Sequence, residues 1–150
     1  YSYNNLWSAD NTTTGYNDNP VVKTVYDPSP VGFKMPANNA FTGFTTTGQN
    51  SSTQSEFNVD GTDDVQTYQN NFGHNSWTSS SKTATIYFPA SGSRKVSDGS
   101  LYSVGDFGYY WSAVPYGTSH GCVLYFASGF VYPLYGLSRP CGFAARPVSE

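Results

Sequence analysis

Hydrophobic positions in this chain come in short runs broken by polar and turn-forming residues. Residues 21–26 (VVKTVY) are a β-branched run and predict a strand. Asp27-Pro28-Ser29-Pro30-Val31-Gly32 ends it, because each proline imposes extended or turn geometry and removes a backbone donor. Residues 33–35 predict a second extended piece. Pro36 can open a helix through Phe41, being tolerated in a first turn, and Gly43 is expected to limit it to about two turns. Residues 66–72 (QTYQNNF) fit a strand or a loop. Residues 83–88 (TATIYF) are the clearest strand, with Ala84, Ile86 and Phe88 on one face and Pro89 ending it. A turn at 91–94 and four short strands near 109–111, 123–126, 130–132 and 143–148 follow. Residues 1–20 are polar and read as a peripheral N-terminal segment with one short strand near Leu6-Trp7. Few helices, many short strands and long irregular loops predict an α+β or mostly β fold, with residues 1–150 as one domain and no internal repeat.

Composition changes this picture in one place. Charged residues are only 11% of the chain and aromatics 17%, and the two trends meet between Asp106 and Arg139. That run holds no Asp, Glu, Lys or Arg, yet carries Phe107, Tyr109, Tyr110, Trp111, Tyr116, Tyr125, Phe126, Phe130, Tyr132 and Tyr135. It is not a membrane helix, which needs about 18 or more unbroken apolar residues; Gly, Ser, Pro and His interrupt it. Two patterns alternate. One is a frame (Tyr109-Tyr110-Trp111-Ser112, Leu124-Tyr125-Phe126, Gly142-Phe143, Arg146-Pro147-Val148). The other is a filling of Tyr116, Thr118, His120, Cys122, Phe130, Tyr132, Leu134, Tyr135, Leu137, Ser138, Pro140 and Cys141. The filling has the Tyr, Ser, Gly and apolar composition that binding loops use, and these twelve residues are the candidate ligand-binding set. Trp111, Leu124, Phe126 and Phe143 are expected in the core, with Tyr109 and Val148 beside them. Tyr116, Phe130, Tyr132, Tyr135 and Leu137 are expected on the surface, converging in one patch. Phe130, Tyr132 and Leu134 lie two apart, which predicts one shared strand face.

Other chemistry weighs less. A net charge of -3 leaves no basic footprint for nucleic acid. Cys122 and Cys141 could close a disulfide in an oxidising compartment or be incidental small side chains, and no Cys/His spacing fits zinc. Gly117-Thr118-Ser119-His120-Gly121 matches the G-x-S-x-G nucleophile elbow, but that elbow needs a helix behind it, and residues 122–126 read as a strand. His74 and His120 read as surface or packing histidines. Asp60, Asp63 and Asp64 lack the spacing of a calcium loop. Asn11 and Asn50 head sequons. The chain opens at Tyr1 with no export or lipidation signal, which reads as a processed or excised domain. No cofactor or metal is expected.

The frame resembles a known family. Tyr26-Asp27-Pro28-x-Pro30-Val31-Gly32-Phe33-x-x-Pro36, Phe88-Pro89-Ala90-Ser91-Gly92-x-Arg94, Gly99-x-Leu101, Gly108-Tyr109-Tyr110-Trp111-Ser112, Leu124-x-Phe126 and Gly142-Phe143-x-x-Arg146-Pro147-Val148 look like the bacterial major-paralogous-domain proteins. These are akin to formylglycine-generating-enzyme-like lectin folds and to the variable proteins of diversity-generating retroelements. The resemblance covers roughly residues 21–149 and is most specific in the last third. It implies a C-type lectin fold on an extracellular or cell-surface protein (a lipoprotein or pilus-tip adhesin) or on a phage particle. The implied function is non-enzymatic binding of a protein or glycoprotein on another cell, by a monomeric domain without membrane insertion. A carbohydrate-binding module is the alternative, and a formylglycine-generating-type enzyme a weaker one. In such retroelements adenines of a template are miscopied, so a template Asn codon with its pyrimidine third base kept cannot become Lys, Gln, Glu, Met or Trp. Residues 113–145 contain none of these five. Ala144-Ala145 departs from the family's Ser-Val tendency, and Ser29 stands where Cys is common.

Overall fold

A computed structural model describes residues 6–9, 13–60 and 65–150. Its strands are β1 (Phe33–Lys34), β2 (Gly73–Trp77), β3 (Thr85–Pro89), β4 (Ser93–Arg94), β5 (Leu101–Tyr102), β6 (Gly108–Tyr116), β7 (His120–Ala127), β8 (Phe130–Ser138), β9 (Ala144–Ala145) and β10 (Val148–Ser149). The helices are one α-helix, α1 (Val65–Asn71), and 3-10 helices at Asn38–Phe44 and Gln54–Glu56. The fold is therefore mostly strand, with few helices and irregular loops between.

A four-stranded sheet in the order β8-β7-β6-β9 organises the chain. β6, β7 and β8 form an antiparallel meander, and β9 adds parallel to β6. Three two-stranded ribbons surround it: β1 with β10, β2 with β3 and β4 with β5. Side chains alternate across a strand, and here both faces are used. Tyr110, Leu124, Phe126 and Val131 belong to one hydrophobic cluster, with Phe41 and Phe44 of the first 3-10 helix, Phe57, Tyr68 of α1 and Phe88 of β3. Trp111, Ala113 and Val123 face the other way and pack with Val21 and Met35, flanked by Trp7, Ala37 and Phe143. Phe126 and Leu124 are fully buried, each worth about 1.5–3 kcal/mol relative to exposure. Gly108 makes room for Phe126: a Cβ there would sit 2.0 Å from the Phe126 ring.

Several elements differ from the sequence reading. Residues 21–26 form no strand; Lys23 makes a single bridge to Ser8, and Val25 is almost fully exposed. The Asp27 carboxylate instead accepts the backbone N–H of Ser29 (2.8 Å) and of Met35 (2.9 Å), folding the proline segment back on itself. The helix after Pro36 begins at Asn38, is 3-10 rather than α, and runs through Gly43 to Phe44, about two turns as expected. Residues 66–71 are helical, with Tyr68 buried and Phe72 in the left-handed region (φ 52) terminating the helix. The polar run Gly73–Trp77 is a strand paired residue for residue with Thr85–Pro89. Ala84 is exposed and lies before that strand, leaving Ile86 and Phe88 to face inward. Residues 143–148 split into β9, beside β6, and β10, beside β1, because Pro147 interrupts the ladder. Leu6-Trp7 form no strand. The described part of residues 1–20 nevertheless touches the sheet: Trp7 packs on the second cluster, and Gly15 N–H donates to Pro115 O (2.9 Å). Asn11, Asp63 and Asp64 lie outside the described residues.

Candidate functional site

The second face of the sheet carries a row of rings. Tyr109 on β6 stands directly opposite Tyr125 on β7, which stands opposite Tyr132 on β8. Neighbouring strands lie about 4.7–4.9 Å apart, which is also a stacking distance for aromatic rings. Tyr109 stacks on Tyr125 at 4.8 Å and 8°, and on Phe143 at 4.7 Å and 10°. Beyond Tyr125 come Phe130 (4.7 Å) and Tyr135 (5.3 Å), with Tyr132 between them at 4.6 and 5.6 Å. Phe107 closes one end, near Tyr109, Tyr125 and Phe130. These seven rings are each half-buried, and the ladder reaches from β8 to the residue just before β9. No residue of it carries a formal charge. Burial pushes the Tyr109 phenol above its ordinary value, with the adjacent Tyr125 hydroxyl adding to the effect. Burial also raises Tyr125, against the hydrogen bond from Tyr109.

A β-bulge sets which residues of β8 join. Between the pairs Tyr125–Tyr132 and Val123–Tyr135, β7 advances two residues and β8 three. Pro133 lacks the N–H a regular ladder needs, and the extra residue passes the next place on this face from Leu134 to Tyr135. Leu134 therefore does not share a face with Phe130 and Tyr132 as its spacing predicts. The backbone groups released at the bulge are taken by two asparagines. Asn50 Nδ2 donates to Leu134 O (2.7 Å) and Asn50 Oδ1 accepts Leu134 N–H (2.9 Å), while buried Asn38 donates to Pro133 O (3.2 Å). Ser51 exchanges both backbone bonds with Val131 (2.9 Å each), and the Ser52 and Tyr132 hydroxyls meet at 2.8 Å. The segment Asn50-Ser51-Ser52 is thus a strap along the outer edge of β8.

The remaining candidates go elsewhere. Gly136 alternates with Tyr135 and Leu137, and a Cβ on it would meet the Tyr116 ring at 2.7 Å. Tyr116 therefore lies on the face opposite the ladder, where Tyr16 stacks on it at 5.1 Å. His120 pairs with both Tyr116 and Ser138 across the strands and shares that face. Thr118 is exposed in the β6–β7 turn. Arg139 clamps this turn, donating to the carbonyls of Gly117, Thr118 and His120 at 2.9–3.2 Å. Ser119 Oγ lies 2.8 Å from His120 Nδ1, but strand β7 follows the turn where a nucleophile elbow requires a helix. Cys122 is fully buried and no part of an accessible surface; burial pushes its thiol up to about 12. It sits in the core because its strand position alternates with Val123 while sharing the face of Leu124. Leu137 is half-buried against the second cluster. Pro140 is exposed, and Cys141 lines a cleft of about 500 Å³ with Trp7, Trp111 and Phe143. Both cysteines are free thiols. His74 is a packing residue, its Nε2 3.2 Å from Ala127 O and its ring 4.7 Å from that of Tyr68.

The twelve candidates therefore do not form one patch. Phe130, Tyr132, Tyr135 and Leu137 share the ladder face, and Tyr116, His120 and Ser138 lie behind it. Tyr116 is 40% exposed, whereas Phe130, Tyr132, Tyr135 and Leu137 are half-buried rather than mainly exposed. Phe107, Tyr109, Tyr125 and Phe143 complete the ladder; Phe143 and Tyr109, expected in or beside the core, are half-buried rungs instead, and Val148, expected beside the core, is 40% exposed. Their signal is the i, i+2 spacing of Phe107 and Tyr109, which becomes visible only once the cross-strand register is known. Among the described residues no group of three or more His, Cys, Asp or Glu could hold a metal ion, and no helix is long and apolar enough to cross a membrane.

Fold and site together define a mostly β domain bearing a half-exposed aromatic face. Residues 58–148 match the family described as Domain of unknown function (DUF8237), and the chain belongs to that family. No curated protein and no solved structure matches it.

Proposed function

We propose that the chain is a non-enzymatic ligand-binding domain of C-type lectin type whose contact surface is the aromatic ladder. Its ligand is a protein or glycoprotein on another cell, and the domain acts as a monomer at a cell surface, on a pilus tip or on a phage particle. The observation that carries this reading is the run of seven half-exposed, uncharged rings held in one row. Tyrosines on a rigid frame offer large contact area at low entropic cost, with hydroxyls ready to hydrogen-bond. Phe130, Tyr132 and Tyr135 also fall within residues 113–145, the segment free of Lys, Gln, Glu, Met and Trp, which supports a retroelement variable protein. Sequencing the DNA around the gene tests that origin. A reverse-transcriptase gene and a near-copy of the segment coding for residues 113–146, differing only at adenines, is the expected finding. A locus with neither contradicts it.

Carbohydrate binding ranks second, for a geometric reason. A sugar stacks on an open ring face, whereas Tyr109 has Tyr125 on one face and Phe143 on the other. What remains of Tyr109 for a partner is its ring edge and hydroxyl, which suit a polypeptide surface. A glycan array with selective binding would reverse this order. Formylglycine-type oxidation ranks third, since paired cysteines are its requirement and Cys122 is inaccessible behind the sheet while Cys141 lines a separate cleft.

A further inference from the structure

On the side away from the ladder, at the end of β6, two phenols far apart in the chain meet. Tyr16 stacks on Tyr116, with ring centres 5.1 Å apart and 30° between the planes. Backbone contacts hold both in place. Gly15 N–H donates to Pro115 O (2.9 Å), and Asn17 Nδ2 turns back to donate to Gly15 O (2.9 Å). Gly136 backs the Tyr116 ring so closely that a Cβ there would come within 2.7 Å of it. Both rings are still open to solvent, Tyr16 at 42% and Tyr116 at 40%. Contact and access therefore coincide at this pair. The ladder tyrosines touch one another but are half-buried, and Tyr102, more exposed at 53%, has Lys95 over its ring in place of a second phenol. Partial burial first, and the adjoining Tyr116 phenol second, push Tyr16 up to about 12. Both phenols thus keep their protons at neutral pH.

We propose that Tyr16 and Tyr116 are an oxidative cross-linking site, joined as dityrosine by a haem peroxidase and hydrogen peroxide. This does not rest on the ladder's role in binding. Each phenol gives up one electron and its hydroxyl proton and becomes a phenoxyl radical. The two radicals join by one bond between ring carbons ortho to oxygen. The hydrogen on each joining carbon then moves to its oxygen, which restores both phenols. The two electrons and two protons reduce one hydrogen peroxide to two waters, so the chain loses two hydrogens. A stacked pair needs only a swing of an exposed ring to bring ortho carbons together, and exposed side chains reorient in about ps–ns. The product staples the N-terminal segment to the sheet, across a loop of about a hundred residues. A cross-link closing so long a loop removes much of the unfolded chain's freedom.

Treatment of the dilute whole chain with a haem peroxidase and limiting hydrogen peroxide, followed by peptide mapping, tests this. The expected main product is a monomer lighter by two hydrogens, fluorescent as dityrosine, with Tyr16 and Tyr116 joined. Tyr16→Phe and Tyr116→Phe keep the stacked rings but lack one hydroxyl, and each should abolish the product. Tyr102→Phe, which removes a more exposed phenol, should leave it unchanged. The linked chain should melt roughly 5–15 °C higher than the untreated one, and treated Tyr116→Phe should gain nothing. No cross-link, cross-links only between molecules or only among ladder tyrosines, or a product that survives in both Phe variants at the pair overturns the proposal. So does a linked chain that melts no higher than before.

Discussion

Tyr109 shows how position within a pleat decides a side chain's role. Its neighbour Tyr110 is buried, donates its hydroxyl to Pro89 O (2.7 Å) and belongs to the core. Tyr109, one residue earlier, turns to the other face and becomes a rung of the ladder. The same rule separates Phe126 from Tyr125 and Val131 from Tyr132. Truncating Phe126 to Ala is expected to cost about 3–5 kcal/mol in thermal or urea unfolding, as for buried aromatics. Tyr132→Ser is expected to cost about 1 kcal/mol: a half-buried ring loses its stacking partners but leaves no cavity. Equal losses at the two sites would contradict the division into core and contact face. The cysteines divide likewise. With Cys122 fully buried and its thiol pushed up to about 12, a thiol reagent should modify Cys141 alone in the native protein and both after denaturation; rapid labelling of Cys122 would contradict its placement.

At the scale of elements, the irregularities matter more than the regular pairs. Pro133 breaks the β8 ladder, and the bulge it forces brings Tyr135 rather than Leu134 to the ladder face. Asn50 then stands in for a missing strand by bonding both backbone groups of Leu134. Asn50→Ala should cost about 1–2 kcal/mol, two bonds at roughly 1 kcal/mol or less apiece, and should speed hydrogen exchange at Leu134 and Val131. Exchange unchanged at both amides would remove the strap from the account. These devices explain what was legible in the sequence and what was not. The runs at 109–111, 123–126 and 130–132 are strands where alternation placed them, and Leu124 and Phe126 are core. The bulge could not be read, because a proline in a run signals an interruption without giving the new register. The strand Gly73–Trp77 was hidden because its stability comes from its partner Thr85–Pro89 and from the burial of His74 and Ser76, not from its own propensity. The helix of residues 65–71 is short and polar, so no periodicity announced it.

For the molecule as a whole, the two faces of one sheet carry different duties. One is sealed by the helices and the β2–β3 ribbon; the other is covered by Val21, Met35 and Trp7 at one end and left as half-exposed rings at the other. So many tyrosines partly removed from water make stability sensitive to alkali. Burial is the leading cause of the raised values at Tyr16 and Tyr110, each pushed up to about 12, and at Tyr68, Tyr109 and Tyr125. A phenol whose folded value exceeds its unfolded one, 10.0, holds its proton more firmly when folded. Its contribution is present in full below that pH and is lost as pH rises through the folded value. Melting temperature is therefore expected to stay level up to the ordinary thiol value of 9.0, where Cys122 begins to act in the same sense, and to fall beyond 10. A melting temperature unchanged between about pH 9 and 11 would contradict the burial of these groups.

The ladder is the centre of the functional account, and one comparison tests it most directly. The intact chain and the triple variant Phe130→Ser, Tyr132→Ser, Tyr135→Ser are applied to the same array of cell-surface proteins and glycoproteins, at low and high salt, with a cooperative melt confirming that the variant is folded. Selective hits are expected for the intact chain, little changed by salt because no charged residue lies between Asp106 and Arg139, and lost in the folded variant. Hits retained by the folded variant, or abolished by salt alone, would place the contact surface elsewhere on the molecule.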